Sequence, residues 1–393
     1  MRSVSLDWLE IFVSEAYGRG YDPEDFERRG YWVEVREYGT KQFEQMFTIL
    51  DQQAQPMIEV RRKPRGVDGI KKTIYSLGDS YLRLVNAYCY HATPVAVMME
   101  FIEREKYTFR RIYRIDLALD LVRFDRGDLP STIARRIVKH VYAKINQSNR
   151  RTSGDDTFTE CFDNWISWGR SGSMVSTKFY NKTKEIEDTK FHKTWIIQRW
   201  LDDGLIDNPI TLSKDQKKQE VWRIEFSIKS SAKEWVIVQP DESNSGEREY
   251  LEHNVDLYST REGIWTAIRN LIPHYFHFKI YEEGKTKYKC KDKILFQFTK
   301  EELSEQYRLT NESDAARARN KVDADIYAQL KSLARVVNKT RDEEARLHVQ
   351  RAVSRLNALL HEQYTSAQFY QALMACNGDM REAIEIVKQG SLF

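Results

Sequence analysis

The chain has 393 residues, 31% of them charged and 41% hydrophobic, with a formal net charge of +3. That length suits two or three globular domains, and the small net charge excludes a protein coated uniformly in positive charge. Basic residues instead gather at Arg61–Arg65, Arg104–Arg114, Arg135–Lys144 and Lys285–Lys293, which fits a local anion-binding face. Cys89, Cys161, Cys290 and Cys376 are scattered without a CxxC pair, so neither a disulfide framework nor a zinc site is expected and a reducing compartment is the simplest reading. Apolar runs fall short of the roughly 20 residues that cross a bilayer. The first residues lack the features of a signal peptide, so a cytoplasmic protein is expected.

Residues 4–12 (VSLDWLEIF) read as a strand or a short amphipathic element. Between Tyr31 and Arg62 three strand-like runs follow, WVEV, QFEQMFTIL and MIEVRR, separated by polar or Gly/Pro breaks. Residues 79–90 lead into a stretch with Met98, Met99, Phe101 and Ile102 at helical spacing.

The segment 113–121, YRIDLALDL, is the most informative. In a strand successive side chains point to opposite faces. Ile115, Leu117, Leu119 and Leu121 then form an aliphatic face, and Arg114, Asp116 and Asp120 flank Ala118 on the other. Further on, Ser131 is the expected cap of a helix in which Ile133, Ile137, Val141 and Ile145 recur every four residues. Its opposite face, with Arg135, Arg136, Lys139 and Lys144, reads as solvated, with phosphate contact as the alternative.

A polar loop at 146–160 precedes strand over 162–182, where STKFYNK places Ser176, Lys178, Tyr180 and Lys182 on one face. Helical spacing returns at 184–203 and strand at 219–229. There WRIEFSIK sets Trp222, Ile224, Phe226 and Ile228 against Arg223, Glu225, Ser227 and Lys229. A break at 240–248 comes before a helix at 260–271. In 285–293, KTKYKCKDK, the alternating lysines would line one strand face, either guarding a sheet edge or touching phosphates. Beyond Lys300 the spacing of Leu330, Leu333, Val337, Ala345, Val349, Val353, Leu356 and Leu360 is helical, and two shorter helices follow, split by Asn377-Gly378.

The expected fold is α+β, a largely antiparallel sheet core with flanking helices followed by an all-helical C-terminal region, with domains at 1–299 and 300–393. If the polar strands share a sheet, one surface gathers paired acids beside Arg, Lys and Tyr. That chemistry suits a divalent metal and a phosphate backbone.

The order of four segments resembles the Rep_trans family of replication initiation factors, which comprises rolling-circle plasmid initiators and related relaxases of conjugative elements. LDWLEIF at 6–12 is similar to its opening motif, RIDLALD at 114–120 to its RxDxAxD strand, WGRSGSMVSTKFYNKTKE at 168–185 to its glycine-then-YxK block, and WRIEFSIK at 222–229 to its RxE strand. Together they cover roughly residues 5–300. The resemblance implies a protein that binds origin duplex and single-stranded DNA, and nicks one strand through a hydroxyl that becomes joined to the 5′ phosphate. It implies Mg2+ or Mn2+ held by Asp116, Glu225 and Asp120. Arg114, Arg170, Lys178, Lys182 and Arg223 would contact DNA or brace the acids, and Lys285, Lys287, Lys289 and Lys291 add a basic strand.

Where the family commonly carries its tyrosine, two residues before the glycine, this chain has Ser167. Tyr180 is the nearest tyrosine on the expected polar face, so Tyr180 and Ser167 are the candidate nucleophiles. The serine equally suits a non-catalytic origin-binding protein on the same scaffold. Trp165 and Trp168 suit either base stacking or core packing. His274 and His277 read as structural, and Gly169–Gly172 is too short for a nucleotide loop. The sequence contains no GxxxxGK[ST] motif, so unwinding would come from a partner, a host helicase. The helical C-terminus would serve partner binding or a homodimer.

Overall fold

Two long strands, β1 (Arg2–Ser14) and β6 (Thr108–Leu121), pair antiparallel and form the centre of the structure. The computed structural model describes residues 2–65, 78–139, 142–144, 158–162, 164–169, 173–188, 193–207, 220–238, 250–280, 290–299, 302 and 306–310. Around the central pair lie β2 (Trp32–Val35), β3 (Phe43–Leu50), β4 (Pro56–Pro64) and β5 (Asp79–Leu84) on one side. On the other lie β11 (Trp222–Lys229), β10 (Val175–Asn181), β9 (Trp165–Trp168) and β8 (Phe158–Phe162). The order is β2-β3-β4-β5-β1-β6-β11-β10-β9-β8, and every pairing is antiparallel. The α+β expectation therefore holds for the described residues.

One face of the sheet is the core. It carries Leu9, Ile11 and Val13 of β1, Ile115, Leu117, Leu119 and Leu121 of β6, and Trp222, Ile224, Phe226 and Ile228 of β11, all buried. Burying each such side chain contributes about 1.5–3 kcal/mol. Four helices supply apolar partners to the same cluster: α1 (Pro23–Arg28) through Phe26, α3 (Pro94–Arg104) through Met98 and Phe101, α4 (Pro130–Val138) through Ile133 and Ile137, and α7 (Arg261–Tyr275) through Ile268 and Leu271. The short α2 (Asn86–Cys89) joins β5 to α3. A smaller apolar cluster is built from α5 (Lys182–Asp188) and α6 (Thr194–Asp202), with Ile186, Ile196, Trp200 and Val221.

A β-bulge falls in the LDWLEIF segment. Leu6 pairs with Leu117, but the next pair is Trp8 with Asp116, so β1 carries one extra residue there. Such an insertion sends two consecutive side chains to the same face. Asp7 reaches Arg223 and Trp8 packs between arginines, while Leu6 and Leu9 both stay in the core.

Several elements differ from the sequence reading. Residues 79–84 are a strand, with helix confined to 86–89 and 94–104. The helix expected through Ile145 ends at Val138, and its N-cap is Leu129 rather than Ser131. The chain then enters β7 (Tyr142–Lys144), whose pairing with β14 (Phe278–Ile280) overrides the helical spacing. Strand β10 stops at Asn181 and Lys182 opens α5.

Two three-stranded sheets complete the description. One is β15 (Asp292–Lys293), β14 and β7; the other is β13 (Tyr250–Glu252), β12 (Glu234–Val238) and β16 (Gln306–Thr310). The strand β16 lies in the region expected to be helical. The chain divides into compact units at 1–311 and 312–393. The expected C-terminal helices and most of the lysine strand lie outside the described residues.

At one end of the sheet's other face, Arg223 is fully buried. Its Nε and Nη2 donate to the two oxygens of Asp120 at 2.7 Å each, and Nη1 donates to Asp7 Oδ1 at 2.7 Å. Trp200 Nε1 of α6 also donates to Asp120 Oδ2. Removing one partner of a buried pair strands the other charge. Arg223→Ala is expected to cost about 3–5 kcal/mol of unfolding free energy in urea denaturation, whereas the isolated surface variant Arg135→Ala should stay within about 0.5 kcal/mol of wild type.

Candidate nucleic-acid interface

The polar face of the sheet is a layer of carboxylates beneath a layer of cations. Asp116, Glu225, Glu10 and Glu59 are each 4% exposed or less. A carboxylate buried so deeply needs a charged or hydrogen-bonding partner, and each has one. Arg114 forks Asp116, with Nε 2.9 Å from Oδ1. Lys178 Nζ donates to Glu225 Oε1 at 2.6 Å, and the Tyr180 hydroxyl donates to Oε2 at 3.0 Å. Glu10 accepts from Arg61 at 2.9 Å, and Glu59 accepts from Arg61 and Arg83. The side chains of Arg83, Arg114 and Lys178 are 23%, 32% and 32% exposed, so the basic layer is the one that meets solvent.

Strand register explains the grouping. Lys178 lies opposite Glu225 on one side and Ser167 on the other, while Ser227 lies opposite Asp116. Three of the sequence-matched strands are thus adjacent, and Asp116, Glu225, Lys178 and Ser167 share one face. Gly169 permits the approach of β9 and β10: its φ is +105°, and a Cβ there would sit 2.8 Å from the Ser176 Cα. No other residue fits that position without separating the strands.

Aromatic rings interleave with the cations. The Trp8 ring lies between the Arg83 and Arg114 guanidiniums, each 4.5 Å from its centroid. Trp165 is half-buried, 4.5 Å from the Tyr180 ring and 5.8 Å from Lys178 Nζ. Trp168 points the other way, into the core, with its indole N–H bonded to the Tyr275 carbonyl. His277 Nε2 lies 3.1 Å from Asp292 Oδ1.

Arg223, expected to contact DNA or brace acids, is 0% exposed and takes the bracing role, on Asp120 and Asp7. Two expected roles need correction. Asp120, expected with Asp116 and Glu225 as a metal ligand, has both its oxygens occupied by Arg223 and Trp200. Lys182, expected as a backbone contact, is 2% exposed, with Nζ 2.9 Å from Glu185 Oε2, because it begins a helix instead of extending the strand. Arg170, Lys285, Lys287 and Lys289 lie outside the described residues, and Lys291 is exposed beside β15. Sequence reading missed Asp7, Trp8, Glu10, Glu59 and Arg83, and placed Arg61 only within a basic cluster. The signal was present for β1, where an acid and an aromatic adjoin in an otherwise alternating segment.

Asp116 and Glu225 influence each other. Burial, and then the Glu225 charge, push the Asp116 carboxyl up to about 6 despite the Arg114 fork. Burial and the Glu225 charge raise the Tyr180 phenol well above its usual range, which keeps it a donor. Burial would raise the Asp7 carboxyl, but Arg223 and Lys182 outweigh it and hold it well below the usual range.

Two close acids, one with a raised pKa, can hold a divalent cation, which relieves their repulsion. Among the described residues no group of three or more His, Cys, Asp or Glu is arranged to hold a metal ion. The donor set of Asp116 and Glu225 is occupied by Arg114, Lys178 and Tyr180, which a bound cation would have to displace. It does not extend to the three-acid set that includes Asp120.

Because the folded-state pKa of Asp116 is raised, the native state binds more protons than the unfolded chain between about pH 4 and 6. Asp116 thus makes stability fall as pH rises through that window. A carboxyl 13C titration should place Asp116 near 6, and Glu225→Gln should move it downward. An unchanged midpoint in that variant would show that the two acids do not interact.

No family model and no curated protein matches the chain. Among the described residues no helix is long and apolar enough to cross a membrane. Among solved structures the chain is similar to a rolling circle replication initiator protein from Geobacillus stearothermophilus, at 12% identity over 75% of this chain and 94% of that one, with a TM-score of 0.38. At that score and identity the likeness carries neither fold nor activity across.

Proposed function

We propose that the chain is a replication-initiator- or relaxase-type protein that binds an origin and breaks one DNA strand on the polar face of its sheet. A single observation carries this reading. Segments picked from the sequence for their order, at 6–12, 114–120, 168–185 and 222–229, contribute neighbouring strands, and Asp116, Glu225, Lys178 and Ser167 fall on one face.

The exposed tips of Arg83, Arg114 and Lys178 supply charge for a phosphate backbone, and Trp8 and Trp165 supply flat surfaces for unpaired bases. Asp116 and Glu225 are the residues that would hold Mg2+ or Mn2+. When bound, the metal would polarise the scissile phosphate. The attacking hydroxyl gives up its proton to water as its oxygen bonds to phosphorus, the bond to the 3′ oxygen breaks, and that oxygen takes a proton back from water, so that one phosphodiester replaces another with no net change in protons. Ser167 is half-buried and borders Lys178, whereas the Tyr180 hydroxyl is committed to Glu225. This supports Ser167 as the nucleophile and Tyr180 as a positioning residue that orients Glu225.

A second reading, an origin-binding protein without nicking activity, is favoured by the saturation of the acids: each oxygen of Asp116 and Glu225 already accepts from Arg114, Lys178 or Tyr180.

A supercoiled origin plasmid with Mg2+ or Mn2+ separates the two. Relaxation is expected with wild type and a covalent protein–DNA adduct on a denaturing gel, both lost in Ser167→Ala. Tyr180→Phe should slow relaxation without abolishing it. Relaxation lost in Tyr180→Phe and kept in Ser167→Ala would move the nucleophile to Tyr180. Binding without relaxation under any metal would establish the second reading. Under either, Lys178→Ala should weaken binding to single strands evenly across sequences and reduce the salt slope by about 0.7.

A further inference from the structure

Apart from the polar face, the structure contains a cleft of about 590 Å³ where the C-terminal ends of α1 and α3 meet the edge strand β2. Its walls include Arg19, Arg29, Arg104, Glu105, Tyr31 and Trp32. These residues come from three separate places in the chain. The turn at Gly30, with φ +88°, joins Arg29 to Tyr31, and both reach Glu105 at the end of α3.

The charges in the cleft do not balance. Glu105 is 1% exposed and has Arg19 Nη2 at 3.0 Å, Arg29 Nε at 2.8 Å, Arg104 Nε at 3.9 Å and the Tyr31 hydroxyl at 2.5 Å. Three guanidiniums meet two carboxylates of the lining, the buried Glu105 and Asp51, and the oxygens of Asp51 already accept from Tyr88 and the backbone of Gln53 and Gln55. Arg19 and Arg29 each donate one further N–H to a backbone carbonyl, of Arg104 and Gly20. Even so, Arg19 Nε and Arg29 Nη2 are buried without a hydrogen-bond partner among the described residues. Those two nitrogens are closed to solvent, so a ligand would meet the open parts of the guanidiniums, Arg19, Arg29 and Arg104 being 30%, 24% and 61% exposed, and an arginine fork is the group best shaped for a phosphate.

The cleft also has a flat apolar side. Tyr31 is held edge-on between Phe26 and Phe101, with the Arg104 guanidinium 5.0 Å from its ring centroid. Trp32 is 58% exposed at the mouth, among the most exposed of the large apolar side chains. An exposed tryptophan beside convergent arginines offers one surface for a ring and another for an anion.

We propose that this cleft is a nucleotide site, taking a phosphate on Arg19, Arg29 and Arg104 and a base against Trp32. It shares no lining residue with the polar face, so it stands or falls independently of strand breakage. The phosphate can come from a free mononucleotide or from the 5′ end of a strand.

The test is calorimetric titration of the full chain with deoxyadenosine 5′-monophosphate, inorganic phosphate, deoxyadenosine and a short 5′-phosphorylated oligonucleotide. The nucleotide should bind at least about tenfold more tightly than phosphate or the nucleoside. Trp32→Ala should weaken the nucleotide by about tenfold and leave phosphate unchanged. Arg104→Gln should weaken both, and Lys178→Ala neither. In the Lys178→Ala background, tighter binding of the oligonucleotide that Trp32→Ala weakens assigns the site to a strand end, and tighter binding of the mononucleotide assigns it to a free nucleotide. Should Arg104→Gln fail to fold by thermal melting, the exposed Trp32→Ala decides alone. Equal affinity for phosphate and nucleotide, unchanged nucleotide affinity in the variants, or loss of binding in Lys178→Ala would overturn the proposal, leaving the arginines to cap helix ends and neutralise Glu105.

Discussion

Carboxylates withdrawn from water must each be met by a cation, and that constraint organises the whole polar face of this sheet. Asp120 and Asp7 are reconciled with burial chiefly by the Arg223 guanidinium, whose three donors reach two strands at once, with Trp200 and Tyr90 adding neutral donors. The same rule continues outward through Arg114 on Asp116, Lys178 on Glu225, and Arg61 and Arg83 on Glu59. At the covered end, under α6, the arrangement is closed and serves the fold. Toward the open end the cations reach solvent, and the neutralising layer becomes a surface for an outside anion. Structural and functional use of one pattern differ only in what lies above it.

The sequence made the strands legible because their alternation is strong. In β6 and β11 every apolar position from Ile115 to Leu121 and from Trp222 to Ile228 is in the core. Burial of the second face was not legible: alternation marks which side is apolar, but not that Arg223, Glu225 and Ser227 would be covered as well. For the same reason Asp116 and Asp120, equivalent by spacing, have different fates. Trp200, eighty residues away, decides the matter for Asp120, and no local pattern contains that contact. The helix expected through Ile145 failed differently, since pairing of Tyr142–Lys144 with β14 outweighed a helical repeat. Lys182 was assigned to a strand face by counting in twos past the point where the chain turned into α5.

Guanidiniums stacked on aromatic rings beside carboxylates occur twice, on a flat sheet face and in a cleft at the ends of two helices. On the face, Arg83 and Arg114 bracket Trp8; in the cleft, Arg104 lies over Tyr31 beside Trp32. Arginine tolerates both settings because its plane can stack on a ring while its edge bonds an oxygen. Lysine could replace it at neither place without losing one of the two contacts.

The extra residue between Leu6 and Trp8 works like a frame-shift in the strand's two-letter alphabet. Upstream of it the odd-numbered residues Ser3 and Ser5 look toward the acids; downstream the even-numbered Trp8 and Glu10 do. Deleting any one residue of that short stretch would restore a regular ladder upstream only by turning Val4 and Leu6 outward and Ser3 and Ser5 into the hydrocarbon interior. The half-turn of backbone thus acts as a phase marker for the first strand, and it ties the identity of those few residues to the position of every side chain before them.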